Sequence, residues 1–402
     1  MKRKVLKAGT VLVLGGLAAL QAIQPVEAEE QAGAHPHKEL GNMELQFEGS
    51  SRFLYDTGYN FEYPDAVRGV YVTANSIMGE KSTGLYDLLE TTDLNSMVID
   101  IKDDFGNLTF MPPEDSDLPE IGKNTIADPE AMMKQLEEHE VYPIARVVVF
   151  KDTELAEARP DLSFTENGEV WKNSRGEAFV NPYEKEVWDY NIKIAEEAAK
   201  LGFKEIQFDY VRFPEGFETR DESLEYSRGD FGDEGTNTEQ RVNAVNSFVE
   251  YAREELQGKY DVEVSVDIFG NSAVVGTEPG IGQSFTGISE NVDVISSMIY
   301  PSHWGPGSFE IDKPDLHPYE LTKEYAVLEN EVLSGLESPP VTRPWIQDFT
   351  ASYLGAGNYI SYGDHEVEEQ IRALNEQGID EYLLWDAGNN YSADADYTPI
   401  ND

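Results

Sequence analysis

The sequence predicts a (β/α)8 TIM barrel with long βα loops. Eight short runs rich in β-branched and aromatic residues alternate with seven longer helical segments between residues 68 and 386. Three connections that follow strands are long (103–128, 151–182 and 214–237), whereas the connections that precede strands are short. Polar and aromatic residues gather where nearly every predicted strand ends, which is the end of this fold that carries function.

The predicted strands and helices alternate strictly. The strands cover residues 68–74, 96–102, 142–150, 205–213, 262–269, 294–300, 343–349 and 381–386. The helices cover residues 83–92, 129–140, 183–201, 238–256, 282–291, 318–333 and 365–377. Within a strand such as 262–269, apolar residues hold one parity and polar residues the other, so we expect the apolar set to face the helices and the other set to face the lumen. An open doubly wound sheet is the alternative, although no Gly-rich dinucleotide fingerprint supports it.

The first 28 residues have the features of an export signal. A basic start precedes an apolar run from Val11 to Leu20, and small residues follow up to Ala28. We therefore expect a signal peptide at 1–28 that is cleaved near Ala28, a linker or amino-terminal cap at 29–65, and one barrel domain at 66–402. The mature chain would then be secreted or associated with the cell envelope, without a stable membrane span. An uncleaved anchor is the alternative.

The composition is strongly acidic. Asp and Glu total 77 against 30 Lys and Arg, which gives a net charge of −47. Because the acids are spread along the whole chain, they predict a halophilic surface rather than one cation-binding face. Nucleic acid and anionic membranes are disfavoured partners for such a charge. The chain has no cysteine, and its 40% hydrophobic residues are sufficient for a large core.

Three acids at predicted strand ends are candidate catalytic residues. Asp209 and Asp267 are the last lumen-facing residues of strands four and five, so their carboxyl groups would stand on neighbouring strands. Glycoside hydrolysis needs such a pair, because one acid protonates the leaving oxygen and the other attacks carbon or activates water. Asp386 at the end of strand eight competes for the acid role. Asp209 could instead form a structural ion pair, and Asp267 could cap the turn that follows it.

Other polar and aromatic side chains at the same end are candidate substrate ligands. Three cations are expected to compensate the charge of Asp209, and the aromatic side chains could stack on sugar rings, although each aromatic alone is as well explained by packing. The predicted substrate-binding residues are Tyr71, Asp100, Lys102, Arg146, Arg212, Tyr300, His303, Trp304, Gln347 and Trp385.

The sequence predicts neither a metal nor a cofactor. The six histidines are scattered and form no HxH or HExxH pattern. The acidic segment 100–104 lacks the later ligands of a calcium loop. A GxSxG elbow and a cysteine nucleophile are also absent, which disfavours esterase and thiol chemistry.

Four motifs together resemble a known family of uncharacterised bacterial proteins. They are the segment 68–73 (RGVYVT), NSMVIDIKDD at 95–104, FDYVRFP at 208–214 and MIYPSHW at 298–304. The family is that of the "putative glycosyl hydrolase domain", and the resemblance runs from about Val67 to the region of Asn389. It implies a TIM barrel related to alpha-amylase-like barrels and to hydrolases of deacetylated glucosamine polymers. In such barrels a strand-four Asp is commonly catalytic, and that position matches Asp209.

The sequence departs from the alpha-amylase-like pattern at two positions. Gln207 stands where those enzymes carry Arg, and Asp267 stands where they usually carry Glu on strand five. The identity of the second carboxylate is therefore open. The sequence predicts a secreted glycoside hydrolase acting on a polysaccharide or oligosaccharide, and the rival interpretation is a carbohydrate-binding or envelope-associated barrel without catalysis. A lyase or deacetylase on the same barrel is a third interpretation, although metal-binding histidines for a deacetylase are not found.

Overall fold

The computed structural model describes residues 54–398 except 114, 115, 117, 119, 120 and 234. The predicted signal peptide and most of the predicted linker lie outside these residues. Eight parallel strands form the barrel: β1 Arg68–Val72, β2 Ser96–Lys102, β3 Tyr142–Val148, β4 Glu205–Asp209, β5 Glu263–Phe269, β6 Val294–Met298, β7 Trp345–Gln347 and β8 Tyr382–Trp385. Strand β1 pairs with both β2 and β8, and β5 pairs with β6, so the sheet closes on itself. The predicted (β/α)8 barrel is confirmed.

Seven helices connect successive strands in the described part of the chain. They are α1 Glu80–Thr91, α2 Pro129–Glu138, α3 Lys185–Leu201, α4 Asn237–Gln257, α5 Phe285–Ser289, α6 Pro318–Leu333 and α7 Asp364–Asn375. Short additional helices cover Ala74–Ile77, Thr153–Ala158 and Asn271–Val275. None of these helices combines the length and the apolar character needed to cross a bilayer. Helix α5 is shorter than expected because Gln283–Ser284 pairs instead with Thr277–Glu278 in a small hairpin.

Strand β4 ends four residues earlier than its apolar sequence predicts. Tyr210 adopts a φ of 52°, in the left-handed region that a residue with a Cβ rarely occupies. This conformation takes the chain out of the sheet directly after Asp209. The side chain of Asp209 therefore stands at the rim of the barrel, and the residues from Tyr210 onward belong to the loop that follows.

The two faces of the barrel wall carry different side chains. The larger apolar cluster lies between strands and helices and includes Val264, Val266 and Ile268 of β5. A smaller apolar cluster fills the lumen with Val67, Tyr71, Val98, Tyr142, Ile144, Tyr300, Trp345 and Leu383. Asp267, of opposite parity to its apolar neighbours, hydrogen bonds to the lumen residue Trp345. The predicted division between helix-facing and lumen-facing parities therefore holds in β5.

Buried ion pairs close the amino-terminal end of the lumen. The Arg343 guanidinium contacts Glu205 at 2.8 Å and Glu381 at 2.8 Å, and all three residues are buried. Tyr63, from the segment before β1, accepts a hydrogen bond from Arg343 and donates one to Glu381. This end is thus sealed by a satisfied polar network, and the opposite end is left for a binding site.

A carboxyl pair near the same end makes stability depend on pH. Burial, with the nearby charges of Asp293 and Glu205, raises the pKa of Glu263 to about 8. The folded state thus keeps the Glu263 proton at pH values where the unfolded chain has released it. The contribution of the protonated Glu263 to the free energy of unfolding is complete at acidic pH and is lost as pH rises toward 8. Gln at position 263 would imitate the protonated acid. We expect Glu263→Gln to raise the free energy of unfolding by about 1–3 kcal/mol at pH 9 and to change it little near pH 4.

The matched control for that variant is Glu250→Gln on the exposed face of α4, which removes the same charge. Urea unfolding at pH 4 and pH 9 measures both variants against the parent. A gain for Glu263→Gln that is equal at both pH values, or a gain at pH 9 that Glu250→Gln reproduces, would contradict the assignment to this carboxyl pair.

Candidate active site at the carboxyl-terminal end of the barrel

A cleft of about 470 Å³ opens where the barrel strands end. Its walls come from the ends of β3 to β8 and from the loops that follow them. Eight of the residues predicted from the sequence line it, namely Arg146, Asp209, Arg212, Asp267, Tyr300, His303, Trp304 and Trp385. The closed barrel therefore brings together side chains that are up to 239 positions apart in the sequence.

Asp209 is held at the floor of this cleft by an arginine. Its Oδ2 accepts hydrogen bonds from Nε and Nη2 of Arg146 at 2.9 and 2.6 Å, and its Oδ1 accepts one from the backbone N–H of Tyr210 at 2.6 Å. The Asp209 residue is only 7% exposed. An ion pair and a backbone donor stabilise the charged form of a carboxylate at such a site. These contacts orient the Asp209 carboxyl group toward the cleft.

Arg146 is itself held by two residues beneath the cleft. Its Nη1 contacts Oδ1 of Asp100 at 2.7 Å, and the Tyr71 hydroxyl donates to the other oxygen of Asp100 at 2.5 Å. The Tyr71 ring stacks on Trp385 with centroids 4.1 Å apart. Asp100 and Tyr71 were predicted to bind substrate, but neither lines the cleft. The structure places them as residues that position Arg146 and Trp385.

Asp267 stands beside Asp209 in a different environment. In the parallel pairing of β4 with β5, Phe208 faces Val266, and both aspartates come one residue further along. Neighbouring strands lie about 4.8 Å apart, so the two carboxyl groups emerge close together. Asp267 is 2% exposed and accepts a hydrogen bond from the Trp345 indole at 2.7 Å. Burial and the adjacent charge of Asp209 raise the pKa of Asp267 well above its ordinary range.

The two aspartates therefore differ in their favoured protonation states. Asp209 lies against a guanidinium at 2.6 Å. Burial and the adjacent charge of Asp209 raise the pKa of Asp267 despite its hydrogen bond from the Trp345 indole, so Asp267 favours the carboxylic acid. A proton donor beside an anion is the arrangement that acid-assisted displacement requires.

The turn after β6 supplies the polar and aromatic wall opposite these acids. Pro301–His303 forms a 3-10 turn that presents Tyr300, His303 and Trp304 to the cleft. Burial lowers the pKa of His303, which favours its neutral form at neutral pH. Trp304 also packs against Phe309 and Tyr325, so its ring is fixed by the core on one side. These side chains offer hydrogen-bonding groups and ring faces on a rigid support.

Three further predicted site residues do not line the cleft, namely Lys102, Gln347 and Asp386. A register shift in β2 between Asp100 and Lys102 turns the Lys102 side chain away from the lumen, where its Nζ contacts Asp152 at 2.7 Å and Asn191 at 2.9 Å. The expectation that Lys102 compensates Asp209 is therefore wrong, because the bulge reverses the parity on which it depended. Arg146 supplies that charge instead.

Gln347 and Asp386 do not line the cleft either. The Gln347 side chain is fully buried and bonds to the backbone of Ser302 and to Asp315, so it joins two loops. Asp386 accepts a hydrogen bond from the backbone N–H of Asn390 at 3.1 Å and thereby caps the turn after β8. Both placements follow from local hydrogen bonding that strand parity does not reveal.

Several lining residues were not predicted from the sequence. Trp345 has the same parity as Gln347 in β7, so the alternation of side chains also assigns Trp345 to the lumen. Asp104 follows β2, and although burial opposes its ionisation, Arg146 and Lys151 lower its pKa. Glu215 lies in an irregular loop that gives no periodic signal. The others are Arg175, Tyr210, Phe269, Gly270, Asn271, Met298, Gly305 and Ser308.

No group of three or more metal-ligating side chains is found between residues 54 and 398 where the structure describes them. The cleft contains a carboxyl pair, arginines and aromatic side chains. A closed (β/α)8 barrel with two unlike carboxyl groups at its carboxyl-terminal mouth is the architecture of barrel glycoside hydrolases.

The comparison with protein families agrees with this class. The family model described as "putative glycosyl hydrolase domain" matches residues 69–391. The chain belongs to this family, as the motifs in its sequence indicate. A search of curated protein sequences finds no match.

Solved structures match the chain at sequence identities from 11% to 31%. The glycoside hydrolase domain of PgaB (BpsB) from Bordetella bronchiseptica is 16% identical with a TM-score of 0.56, and the match covers 84% of this chain and 100% of that one. A hypothetical protein from Ruminiclostridium thermocellum is 31% identical over 49% of this chain and 96% of its own, with a TM-score of 0.41. The alpha-galactosidase TtGalA from Thermus thermophilus is 11% identical with a TM-score of 0.48, over 82% and 63% of the two chains.

Proposed function

We propose that this protein is an exported glycosidase that hydrolyses O-glycosidic bonds of a polysaccharide. One observation carries the proposal: Asp209 and Asp267 are adjacent, Asp209 pairs with Arg146, and burial beside Asp209 raises the pKa of Asp267. Asp267 then donates its proton to the leaving oxygen, and Asp209 attacks the anomeric carbon or activates a water. Tyr300, Trp304 and Trp385 hold the sugar rings. Such a reaction uses protein side chains and water alone.

The surroundings of the two acids support this division of roles. Arg146 is buried and is shared between Asp209 and Asp100, so it fixes the orientation of the Asp209 carboxylate without leaving an unpaired charge. The Trp345 indole donates to one oxygen of Asp267, which leaves the other oxygen to carry the proton toward the cleft. Rigid support of both groups lowers the reorganisation that the reaction requires.

Export and adaptation to salt belong to the same proposal. The basic and apolar start of the sequence supports cleavage near Ala28, and the net charge of −47 supports a working medium in which salt screens self-repulsion. A soluble polysaccharide outside the cell, or one of the envelope, is the substrate that this placement makes accessible.

A panel of polysaccharides incubated with the protein at high salt tests the proposal. Release of reducing ends from at least one polymer is the expected result, with the mutant Asp209→Asn as the inactive control. The absence of release across the panel, together with measurable binding of a polymer, would favour a carbohydrate-binding barrel without catalysis. That second function is supported by Gln207, which takes the place of the Arg of alpha-amylase-like enzymes and donates a hydrogen bond to Ser296.

A further inference from the structure

A second cavity, of about 370 Å³, adjoins the cleft. The two spaces lie side by side and are together called the groove, because four residues line both: Arg175, Tyr210, Arg212 and Glu215. The loop after β3 and the loop after β4 form its walls. These are two of the long connections that the sequence predicts, and neither is needed to close the barrel.

Both walls are fixed by internal contacts. In the loop after β3, Lys172 pairs with Ala178, and the Asn173 side chain accepts hydrogen bonds from the backbone N–H groups of Arg175 and Glu177. In the loop after β4, Asp221 forms ion pairs with Arg241 at 2.9 Å and with Arg228. The loop after β4 is thus a packed wall of the groove.

The second cavity concentrates positive charge in a very acidic protein. Arg175, Arg212 and Arg220 line it, against the two acids Glu177 and Glu215. One of these acids, Glu177, is further neutralised by Lys151 at 2.9 Å. The chain as a whole carries 77 acidic against 30 basic residues, so an excess of arginine in one cavity is opposite to the general trend.

Arg220 has no acidic partner among the described residues. Its guanidinium lies over the ring of Trp171 with 5.4 Å to the centroid, and the residue is exposed. Stacking on an aromatic ring holds a guanidinium in place and leaves its N–H groups free for a ligand. The neighbouring Arg212 is buried and also lies over the rings of Tyr210 and Phe269, but its Nη2 is paired with Glu215 at 3.1 Å.

We propose that this arginine-lined cavity is a subsite for a sugar that carries an anionic substituent. The inference rests on the proposed function and names its substrate class: an acidic polysaccharide with carboxylate or sulfate groups. The guanidinium of Arg220 binds the substituent through paired N–H donors, and Arg175, whose Nε contacts Glu177 at 3.2 Å, lines the same cavity. Trp171 and Phe179 form the apolar side of the subsite.

The overall charge of the protein makes such a subsite necessary for an acidic substrate. A polyanion is repelled by a surface of −47, even when salt shortens the range of that repulsion. Only a local excess of positive charge at the groove can hold it in register with Asp209. A neutral polymer meets no such repulsion and gains less from an unpaired arginine, because its hydroxyl groups carry no charge.

Binding measurements on the inactive Asp209→Asn protein test the inference without turnover. The carboxylate probe is an oligogalacturonate, compared with its methyl ester, which has the same sugars and linkages without the charge. The sulfate probe is a sulfated galactan oligosaccharide, compared with its desulfated form. Each probe is titrated by calorimetry into the Asp209→Asn single mutant and into two double mutants. The double mutants carry Arg220→Gln or Arg372→Gln in addition to Asp209→Asn. Arg372 lies on α7, is 46% exposed at its side chain and provides the matched loss of one positive charge.

We expect at least one anionic probe to bind about tenfold more tightly than its neutral form, and Arg220→Gln to reduce that affinity about three- to tenfold. The neutral form and the Arg372→Gln control should show no such change. Equal binding of charged and neutral forms, equal effects of the two substitutions, or no binding of any anionic probe would overturn the inference.

These outcomes are separable from those of the proposed function. If the parent hydrolyses a neutral polymer but no anionic probe binds, the glycosidase stands and the acidic subsite does not. If anionic probes bind through Arg220 but the parent hydrolyses no polymer in the panel, the subsite stands and the protein is a binding barrel.

Discussion

Replacing Asp209 with asparagine is expected to lower kcat on the substrate found by the polysaccharide screen by about 10³-fold or more. The amide can neither attack the anomeric carbon nor take a proton from water, and it lacks the negative charge that stabilises the oxocarbenium-like transition state. The fold should survive, because the amide oxygen can still accept one hydrogen bond from Arg146 and the guanidinium keeps its contacts with Asp100 and Asp104. Steady-state kinetics and thermal unfolding of the same preparation measure both effects.

Asp261→Asn is the control for this variant. Asp261 is exposed just before β5, at the opposite end of the barrel, where it pairs with Lys204, so the same change in charge occurs far from the cleft. It should leave kcat within about twofold of the parent. A folded Asp209→Asn protein that hydrolyses as well as the parent would show that the chemistry resides elsewhere.

Replacing Asp267 with asparagine is expected to lower kcat on the natural polymer by about 10²- to 10⁴-fold, the contribution of a positioned general acid. The loss should shrink to a few-fold on an aryl glycoside whose phenolate leaves without protonation. Asp209→Asn should lose activity on both substrates, because the attack itself fails. The comparison of the two variants on the two leaving groups therefore separates the acid from the nucleophile or base.

The pH profile gives an independent measurement of the same role. Because burial and the charge of Asp209 raise the pKa of Asp267, the acid stays protonated above the range of an ordinary carboxyl group. Activity of the parent should fall as pH rises through that pKa, and Asp267→Asn should lose this alkaline limb. Asp386→Asn, which removes the competing acid at the end of β8, should retain the limb. If Asp386→Asn lost the alkaline limb and Asp267→Asn retained it, Asp386 would be the general acid.

Strand parity accounts for most of what the sequence could predict about the site. A strand in a barrel turns alternate side chains into the lumen, so an acid that ends an apolar strand must face either the mouth or the outer helices. Asp209 and Asp267 are of this kind, and their placement on adjacent strands follows from chain order in a parallel barrel. Tyr300, His303 and Trp304 follow the same reasoning from the end of the sixth strand.

Parity fails wherever the backbone departs from a regular strand. The bulge in β2 sends Lys102 to Asp152, although alternation assigns it to the lumen with Asp100. The left-handed conformation of Tyr210 ends β4 early and places Arg212 in the loop. Both departures are decided by contacts with other parts of the chain, which no local pattern encodes.

The sequence by itself determined the barrel, its order of elements and the acids at its mouth, because each depends on periodicity and on chain order. Only the tertiary structure decided which cation serves which acid, since Arg146 reaches Asp209 from β3 while Lys102 turns outward. It also decided that two long loops join their arginines into a groove beside the acids. The physical reason is that hydrogen bonds and ion pairs between distant segments act over a few ångströms, and their partners are fixed only when the closed barrel and its loops set those distances.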